Sequence, residues 1–206
     1  MPSFEFGDQI AALHGLPVAG VDEVGRGPLA GPVVAGAVVI TDQSAFLAKF
    51  ADVNDSKALS KKHRERLSEN LTQSDCVHFA IGEASPQEID RVNIRNATFL
   101  AIERALAALT NKLGCPLSYI VDGNALPAIA MPGAYLVKGD AKSYRIAAAS
   151  IIAKVYRDNL MESLGRDFPE YNWAANAGYG TKAHIEALVE FGPSPHHRMT
   201  FAKVKQ

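Results

Sequence analysis

The stretch VAGVDEVGRGPLAGPVVAGAVVI, residues 18–40, places two valine-rich runs on either side of a glycine-rich loop. Because both runs are apolar and bounded by glycine and proline, residues 17–23 and 32–41 are predicted to form short buried strands. The first strand ends in two adjacent carboxylates, Asp22 and Glu23. The loop that follows could bind the phosphates of a dinucleotide, or the carboxylates could hold a metal ion.

The glycine loop, GRGPLAG at residues 25–31, is one residue too long for the G-x-G-x-x-G dinucleotide fingerprint. That fingerprint must open a helix whose N-terminus meets the pyrophosphate. Here Pro28, Pro32 and a valine run lead into a strand instead. The context therefore excludes a Rossmann site and leaves a backbone that can approach a ligand closely, with Arg26 in its middle.

The rest of the chain alternates strand and helix patterns. Strands are predicted at 77–82, 117–123 and 134–140, and helices at 60–71, 85–109, 143–165 and 181–191. The second helix has the clearest start, because Ser85 and Glu88 form a capping box around Pro86. Gly165 is predicted to stop the third. This order indicates an α/β fold with a mixed sheet flanked by helices.

Composition limits the function classes. The chain has 206 residues, 48% of them hydrophobic, which is enough for one main domain. Cys76 and Cys115 are far apart in sequence, which suggests neither a disulfide framework nor a zinc site and fits a cytoplasmic protein. No signal peptide or membrane-spanning run is seen. A net charge of −1 argues against a general nucleic-acid coat, so any polyanion must meet local basic patches.

Four carboxylates stand at predicted strand ends: Asp22, Glu23, Asp122 and Asp140. Each alone could cap a helix or form a turn. In open α/β sheets, however, ligands gather at the carboxyl ends of strands, so these side chains are expected to converge. Converging carboxylates repel unless a cation neutralises them, and Mg²⁺ or Mn²⁺ suits an all-oxygen site. Two such ions could clamp a phosphodiester for hydrolysis.

Six ordered segments resemble ribonuclease HII, the type 2 ribonuclease H, between residues 18 and 201. They are GVDEVGRGPLAGPVVAGAVV, NDSKALSKKHRERL, VDGN, KGDAKSYRIAAASIIAKVYRD, GYGTKAHIEAL and GPSPHHRMTF. The resemblance implies a ribonuclease H-like fold formed by residues 1–206 as one catalytic domain, with residues 165–206 as a helical C-terminal part that helps to grip the duplex.

The resemblance also implies roles for individual residues. Asp22, Glu23, Asp122 and Asp140 match the family's four acidic active-site residues, the first three as metal ligands and the fourth completing the site when a second ion binds with substrate. Three further matches concern the substrate. Gly25, Arg26 and Gly27 match a motif that contacts ribose 2′-hydroxyls at an RNA-to-DNA junction, and Tyr179 matches a tyrosine that stacks on the following deoxyribose. A family segment near the substrate is matched by Asn54, Ser56 and Lys57.

The implied activity is cleavage on the 5′ side of ribonucleotides, in RNA/DNA hybrids and singly embedded in duplex DNA, as in ribonucleotide excision repair. Mn²⁺ or Mg²⁺ would be the catalytic ion, and the products would carry a 3′-hydroxyl and a 5′-phosphate. A 2′-hydroxyl is the one group that separates RNA from DNA at a given nucleotide. The chain ends at FAKVKQ without a clamp-binding box, so no sliding-clamp partner is expected. A monomer is expected.

Several other residues are candidates from their position. Lys142 and Ser143 begin the third helix, where a phosphate contact or a cap is predicted. Ser150, Lys154 and Arg157 share a helical face and could follow a strand backbone, although a Lys154–Asp158 ion pair is the simpler expectation.

The C-terminal segment contains further candidates. Arg198 and His197 could contact phosphate. No role is assigned to His184, and the roles of His196 and His197 stay open. Two alternatives remain: another four-carboxylate nuclease, such as an exonuclease or resolvase, and a non-catalytic RNA-binding module.

Overall fold

The computed structural model describes residues 2–53 and 59–205. Five strands form one sheet: β1 (Val18–Val24), β2 (Val33–Ile40), β3 (Val77–Ala84), β4 (Ser118–Asp122) and β5 (Gly133–Leu136). Their order is β3-β2-β1-β4-β5. The pairs β1–β2 and β2–β3 are antiparallel, whereas β1–β4 and β4–β5 are parallel. The predicted mixed sheet is confirmed.

Helices cover both faces of the sheet. The described helices are α1 (Glu5–His14), α2 (Gln43–Phe50), α3 (Lys61–Thr72), α4 (Pro86–Leu113), α5 (Tyr144–Asp167), α6 (Trp173–Asn176) and α7 (Lys182–Phe191). The α4 helix packs on one face through alanine and leucine side chains. On the other face α5 packs beside α2 and α3. Both faces of β2 are therefore buried, which is why its eight residues are all apolar or glycine.

The α4 helix differs from the single uninterrupted helix that the sequence predicts. Its capping box forms as expected, with Ser85 and Glu88 each accepting a backbone N–H of the other. At Asn93 the backbone turns to a φ of 69°, and the Asn93 side chain accepts the N–H of Asn96. The second part of α4 thus begins with its own N-cap.

Other boundaries also depart from the prediction. The α5 helix runs through Gly165 to Asp167, because this glycine lies against the Ala174 backbone and does not take a left-handed conformation. The strand predicted at 134–140 stops at Leu136, so Asp140 lies in a short helical turn at Gly139–Ala141. The helices α1, α2 and α6 are not predicted from the sequence. Within residues 2–53 and 59–205, no helix is both long and apolar enough to cross a bilayer.

The close approach of α5 to β1 depends on Gly20. A Cβ atom at this position would overlap the backbone carbon of Arg145 at the start of α5. The same helix passes Gly36 of β2, where a Cβ would lie 2.8 Å from the Ala149 carbonyl oxygen. These glycines let the helix lie directly on β1, which carries Asp22, and on its neighbour β2.

We expect Gly20→Ala to lower the free energy of unfolding by roughly 2 kcal/mol or more, because the added methyl meets rigid backbone. Gly36→Ala should cost less, since the overlap there is smaller. Urea denaturation of both variants measures the difference. Parent-like stability of Gly20→Ala would show that α5 does not press on β1.

Candidate active site

Strand pairing brings Asp22 and Asp122 side by side. Val21 pairs with Val121 in the parallel β1–β4 ladder, so the next residue of each strand is an aspartate at an equivalent position. Because side chains alternate along a strand, both aspartates point to the face opposite the two valines. Glu23 follows Asp22 at the same end of the sheet. Asp22 and Asp122 therefore meet at this end of the sheet, and Glu23 is near enough for its charge to interact with both.

Asp140 lies in a turn that is joined to the end of β4. Gly139 donates its backbone N–H to Asp122 Oδ1 at 2.7 Å, and this bond ties the Gly139–Ala141 turn to the end of β4. A Cβ at Gly139 would lie only 3.5 Å from Asp122 Oδ1, which shows how closely the turn approaches. Asp140 itself is buried, and its Oδ1 accepts the Ala141 N–H.

The carboxylates are electrostatically unfavourable to one another. Burial raises the pKa of Asp22 well above its usual value, and repulsion by Glu23 and Asp122 raises it further. The pKa of Glu23 is also raised, first by burial, against the opposing effect of Arg26, whose Nη1 lies 3.1 Å from Glu23 Oε1. A site that penalises its own negative charge is one that a cation would stabilise.

The donor set fits a hard divalent cation in chemistry, although it is not closed into a coordination group. In the part of the chain that the structure describes, no three His, Cys, Asp or Glu side chains already form a group that could hold an ion. The three carboxylates have other partners nearby. Asp22 accepts the Glu23 N–H, Asp122 accepts the Gly123 N–H, and Glu23 accepts a hydrogen bond from Arg26. All of these acceptors are carboxylate oxygens, the donors that Mg²⁺ and Mn²⁺ take.

A cavity of about 150 Å³ opens beside these carboxylates. Glu23 and Asp122 line it together with Arg26, Arg95 and Asn124. Sequence analysis missed the last two, because an arginine on an amphipathic helix and an asparagine after a strand are ordinary surface residues. Asn124 ends the VDGN segment quoted above, whereas the Asn93 cap, two residues before Arg95, is a local signal on α4.

The glycine loop is held from inside by two buried arginines. Arg198 donates to the carbonyl oxygens of Gly25, Arg26 and Gly31, at 2.6 to 3.0 Å. Arg157 donates to the carbonyls of Ala30, Pro32 and Ala177 at 3.0 to 3.1 Å. Both side chains are fully buried. This geometry argues against the predicted phosphate contacts of Arg157 and Arg198, which act on the loop rather than on a ligand.

Two glycines make this packing possible. Gly25 and Gly31 have φ angles of 89° and 80°, in the left-handed region that favours glycine. A Cβ at Gly25 would overlap the Arg157 side chain, and one at Gly31 would overlap the Met161 sulfur. The glycines are therefore required by the buried arginine and methionine beneath the loop.

Tyr179 lies next to the exposed part of this loop. A Cβ at Gly27 would be 3.5 Å from Tyr179 Cε1, and the tyrosine side chain is 46% exposed. The loop is joined to the tyrosine's neighbour by the Leu29 N–H, which donates to the Gly178 carbonyl at 2.8 Å. The fold thus brings together Gly27 and Tyr179, which sequence analysis placed at the same junction.

The remaining predicted substrate residues have different surroundings. Ser150 is buried and hydrogen-bonds the Asp22 carboxylate, so it positions an acidic residue. Lys154 pairs with Asp158 at 2.7 Å, as the simpler expectation had it. Lys142 is exposed beside Asp140.

Ser143 and the segment 54–57 are the last of the predicted substrate residues. The Ser143 side chain is buried and does not cap α5, and its N–H donates to the Gly139 carbonyl, so neither predicted role fits. Asn54, Ser56 and Lys57 lie outside the described residues.

Comparison with known proteins places the chain among ribonucleases. The family model for ribonuclease HII matches residues 19–204. A ribonuclease HII from Rhodospirillum rubrum is 53% identical over 189 residues, covering 92% of this chain and 85% of the relative. The structure of ribonuclease H2 from Pyrococcus horikoshii matches with a TM-score of 0.71 and 30% identity, covering 92% of this chain and 96% of that one.

A more distant structure, Bst-RNase HIII in complex with Mn²⁺, matches with a TM-score of 0.75 at 22% identity, over 95% of this chain and 70% of that one. At this identity the likeness concerns the fold alone. All three comparisons agree on a ribonuclease H-like arrangement of a mixed sheet flanked by helices.

We expect Arg198→Gln to lower the free energy of unfolding by roughly 3 kcal/mol or more, because three loop carbonyls lose their buried donor. Arg26→Gln is the matched control, since the Arg26 side chain is exposed and bonds Glu23 at the surface, and it should change stability by less than about 0.5 kcal/mol. Chemical denaturation measures both. An Arg198→Gln variant of parent stability whose nucleic-acid binding is less salt-dependent would restore the phosphate role.

Proposed function

Since the chain belongs to the ribonuclease HII family, we propose that it hydrolyses the phosphodiester on the 5′ side of a ribonucleotide and leaves a 3′-hydroxyl and a 5′-phosphate. Its general activity is that of an endonuclease acting on RNA/DNA hybrids and on ribonucleotides embedded in DNA. The observation that carries the proposal is the meeting of Asp22, Glu23 and Asp122 beside a loop that exposes backbone N–H groups.

In this proposal Asp22, Glu23 and Asp122 bind Mn²⁺ or Mg²⁺, and Asp140 completes the site when a second ion enters with substrate. Support comes from the raised pKa of Asp22 and Glu23, which a bound cation would reverse. When bound, such ions activate a water and neutralise the charge that builds on the phosphodiester. Glu23 must turn from Arg26 to serve as a ligand, and this frees the guanidinium for the substrate phosphate.

Backbone polarity explains how the glycine loop could recognise a ribose. The carbonyls of Gly25 and Arg26 point inward to Arg198. Within the described residues no protein acceptor takes the N–H groups of Arg26 or Gly27, and both residues are exposed. The loop therefore offers donors to a 2′-hydroxyl oxygen, while side chains contribute little bulk.

Tyr179 would supply the other half of junction recognition. Its exposed ring lies against the position of Gly27, so a sugar held by the loop N–H groups is followed at once by an aromatic face. A ring packed on the next sugar leaves little room for an additional hydroxyl. Selection of a ribonucleotide followed by deoxyribonucleotides would then come from one donor surface and one steric surface.

Other contacts complete the proposed interface. Lys142 and Lys154 remain candidates for the strand backbone, together with Asn54, Ser56 and Lys57. Arg95 joins them because it lines the cavity between Arg26 and Asn124. The C-terminal part, residues 165–206, is proposed to belong to the same catalytic domain and to help grip the duplex.

The two alternatives have weaker support. An exonuclease or resolvase would share the four carboxylates, and an RNA-binding module would not need them, but family membership favours neither. A monomer in the cytoplasm is also part of the proposal. The free thiols of Cys76 and Cys115 are consistent with a reducing compartment.

We expect Asp22→Asn and Asp122→Asn each to reduce cleavage of an RNA/DNA hybrid by about a thousandfold or more, because each removes charge that holds the cation. Stability without metal should be unchanged or higher, since a repelling carboxylate is removed. Mn²⁺ should raise the melting temperature of the parent but not of the variants.

Asp75→Asn, at an exposed position, is the matched control and should behave like the parent. If Asp22→Asn unfolds in metal-free buffer, the carboxylate is structural. If it cleaves at the parent rate, the metal site is elsewhere.

For Tyr179→Ala we expect kcat/KM on a duplex with one ribonucleotide to fall about tenfold, the effect of one lost stacking contact. Cleavage of a continuous hybrid should fall less, because a continuous RNA strand presents no deoxyribose after the ribonucleotide for the ring to pack on. Tyr179→Phe keeps the ring and should stay near the parent. Steady-state kinetics on the two substrates provide the test, and equal losses on both would remove Tyr179 from junction recognition.

A further inference from the structure

Two buried histidines form a hydrogen-bonded chain behind Tyr179. His184 Nδ1 lies 2.9 Å from the Tyr179 carbonyl oxygen, and His184 Nε2 lies 3.0 Å from His197 Nε2. His197 Nδ1 receives the Ser194 N–H at 2.9 Å. Both side chains are buried: His184 has no exposed surface, and His197 is 2% exposed. Sequence analysis assigned no role to His184 and left that of His197 open.

The partners determine the protonation of all four ring nitrogens. A carbonyl oxygen only accepts, so His184 Nδ1 carries the hydrogen. His184 Nε2 is then the acceptor, and it receives the Trp173 Nε1–H at 3.2 Å as well as the His197 Nε2–H. His197 Nδ1 must accept, because the Ser194 backbone N–H can only donate. Every hydrogen bond is satisfied only when both rings are neutral.

A proton added to either ring breaks this chain. On His197 it would occupy Nδ1 and face the Ser194 N–H, and on His184 it would occupy Nε2 and face the Trp173 N–H. Burial, with the nearby His184, lowers the pKa of His197 to about 4, and burial also lowers that of His184. The folded chain therefore resists protonation, and the free energy it gains from the neutral pair is lost as pH falls below the ordinary histidine value of about 6.5.

In the part of the chain that the structure describes, no carboxylate is among the groups that shift the pKa of His184 or His197. Tyr171, from the short turn before α6, packs its ring on both histidines. His196 packs on Trp173 and also lowers the pKa of His197. Tyr179 contributes its carbonyl. Among the described residues, no ion pair involves His184 or His197.

The hydrogen-bonded pair lies close to both parts of the proposed junction-recognition surface. At one end it fixes the backbone of Tyr179, whose ring lies beside Gly27. At the other end the residue after His197 is Arg198, which holds the carbonyls of Gly25 and Arg26. Two consecutive residues thus anchor the two elements that face the ribonucleotide junction.

We propose that the neutral His184–His197 pair positions Tyr179 for recognition of a single embedded ribonucleotide, and that protonation of the pair weakens this recognition more than it weakens cleavage of a continuous hybrid. The inference rests on the proposed function of Tyr179. His184 and His197 are positioning residues, because neither ring is exposed to substrate.

Two substitutions at one position separate positioning from general packing. The amide nitrogen of His184→Asn can take the place of Nδ1 and still donate to the Tyr179 carbonyl. His184→Gln extends to the place of Nε2 and loses that bond. At about pH 7.5 we expect His184→Gln to raise KM for the single-ribonucleotide duplex about tenfold with kcat little changed, as loss of one buried hydrogen bond predicts. His184→Asn should keep a KM near that of the parent, with a lower free energy of unfolding because the Trp173 and His197 N–H groups lose their acceptor.

The pH profile is compared as a ratio of kcat/KM on the two substrates, so that titration of the catalytic carboxylates cancels. In the parent the ratio of single-ribonucleotide to hybrid cleavage should stay constant near neutral pH and fall as the pH approaches about 4, the value to which burial lowers the pKa of His197. In His184→Gln the ratio should already be low and change little with pH. Equal effects of both substitutions on both substrates, or a pH-independent ratio in the parent, would overturn the proposal.

Histidine ring ¹⁵N NMR tests the pair without an activity measurement. At about pH 7.5 we expect His184 to be protonated at Nδ1 and His197 at Nε2, with both rings neutral. The opposite tautomers, or a charged ring, would contradict the proposal even if a variant failed to fold. A parent that shows these tautomers but cleaves neither substrate would instead refute the proposed function.

Discussion

The structure depends on two guanidinium groups buried beneath the glycine loop. Arg157 and Arg198 have backbone carbonyls as acceptors, and burial lowers the pKa of both, that of Arg198 to about 9. A buried charge is tolerable only where hydrogen bonds replace its hydration. The loop must therefore turn its carbonyls inward, and the same rotation turns the N–H groups of Arg26 and Gly27 toward solvent. The character of the recognition surface follows from the need to satisfy these two cations.

This arrangement also explains why distant parts of the chain form one unit. Arg157 comes from α5, Arg198 from the segment after α7, and both grip the connection between β1 and β2. The α5 helix also supplies Ser150 to Asp22 and lies on β1 at Gly20. Asp22, the glycine loop and Tyr179 are thus held by α5 and by the C-terminal segment.

Features with local causes could be predicted from the sequence. Asp22 and Asp122 end apolar runs, the capping box of α4 has a fixed spacing, and Lys154 and Asp158 are one helical turn apart. The arginines could not be assigned correctly, because their acceptors are backbone carbonyls, which leave no trace in residue identity. Phe6 and Ile10 are four residues apart and pack near β4, a weak amphipathic signal for α1. The histidine pair joins residues 13 positions apart through a fold that only tertiary packing defines.

The most direct test of the central claim is to map the cut in a DNA duplex that contains one ribonucleotide, together with the chemistry of the ends. With Mn²⁺ or Mg²⁺ the account predicts a single cut on the 5′ side of the ribonucleotide, with a 3′-hydroxyl and a 5′-phosphate, and no cut with a chelator. A cut on the 3′ side, a 2′,3′-cyclic phosphate, or cleavage that persists without metal would contradict it. Any of these results would mean that the carboxylates and the glycine loop do not act together on the ribonucleotide.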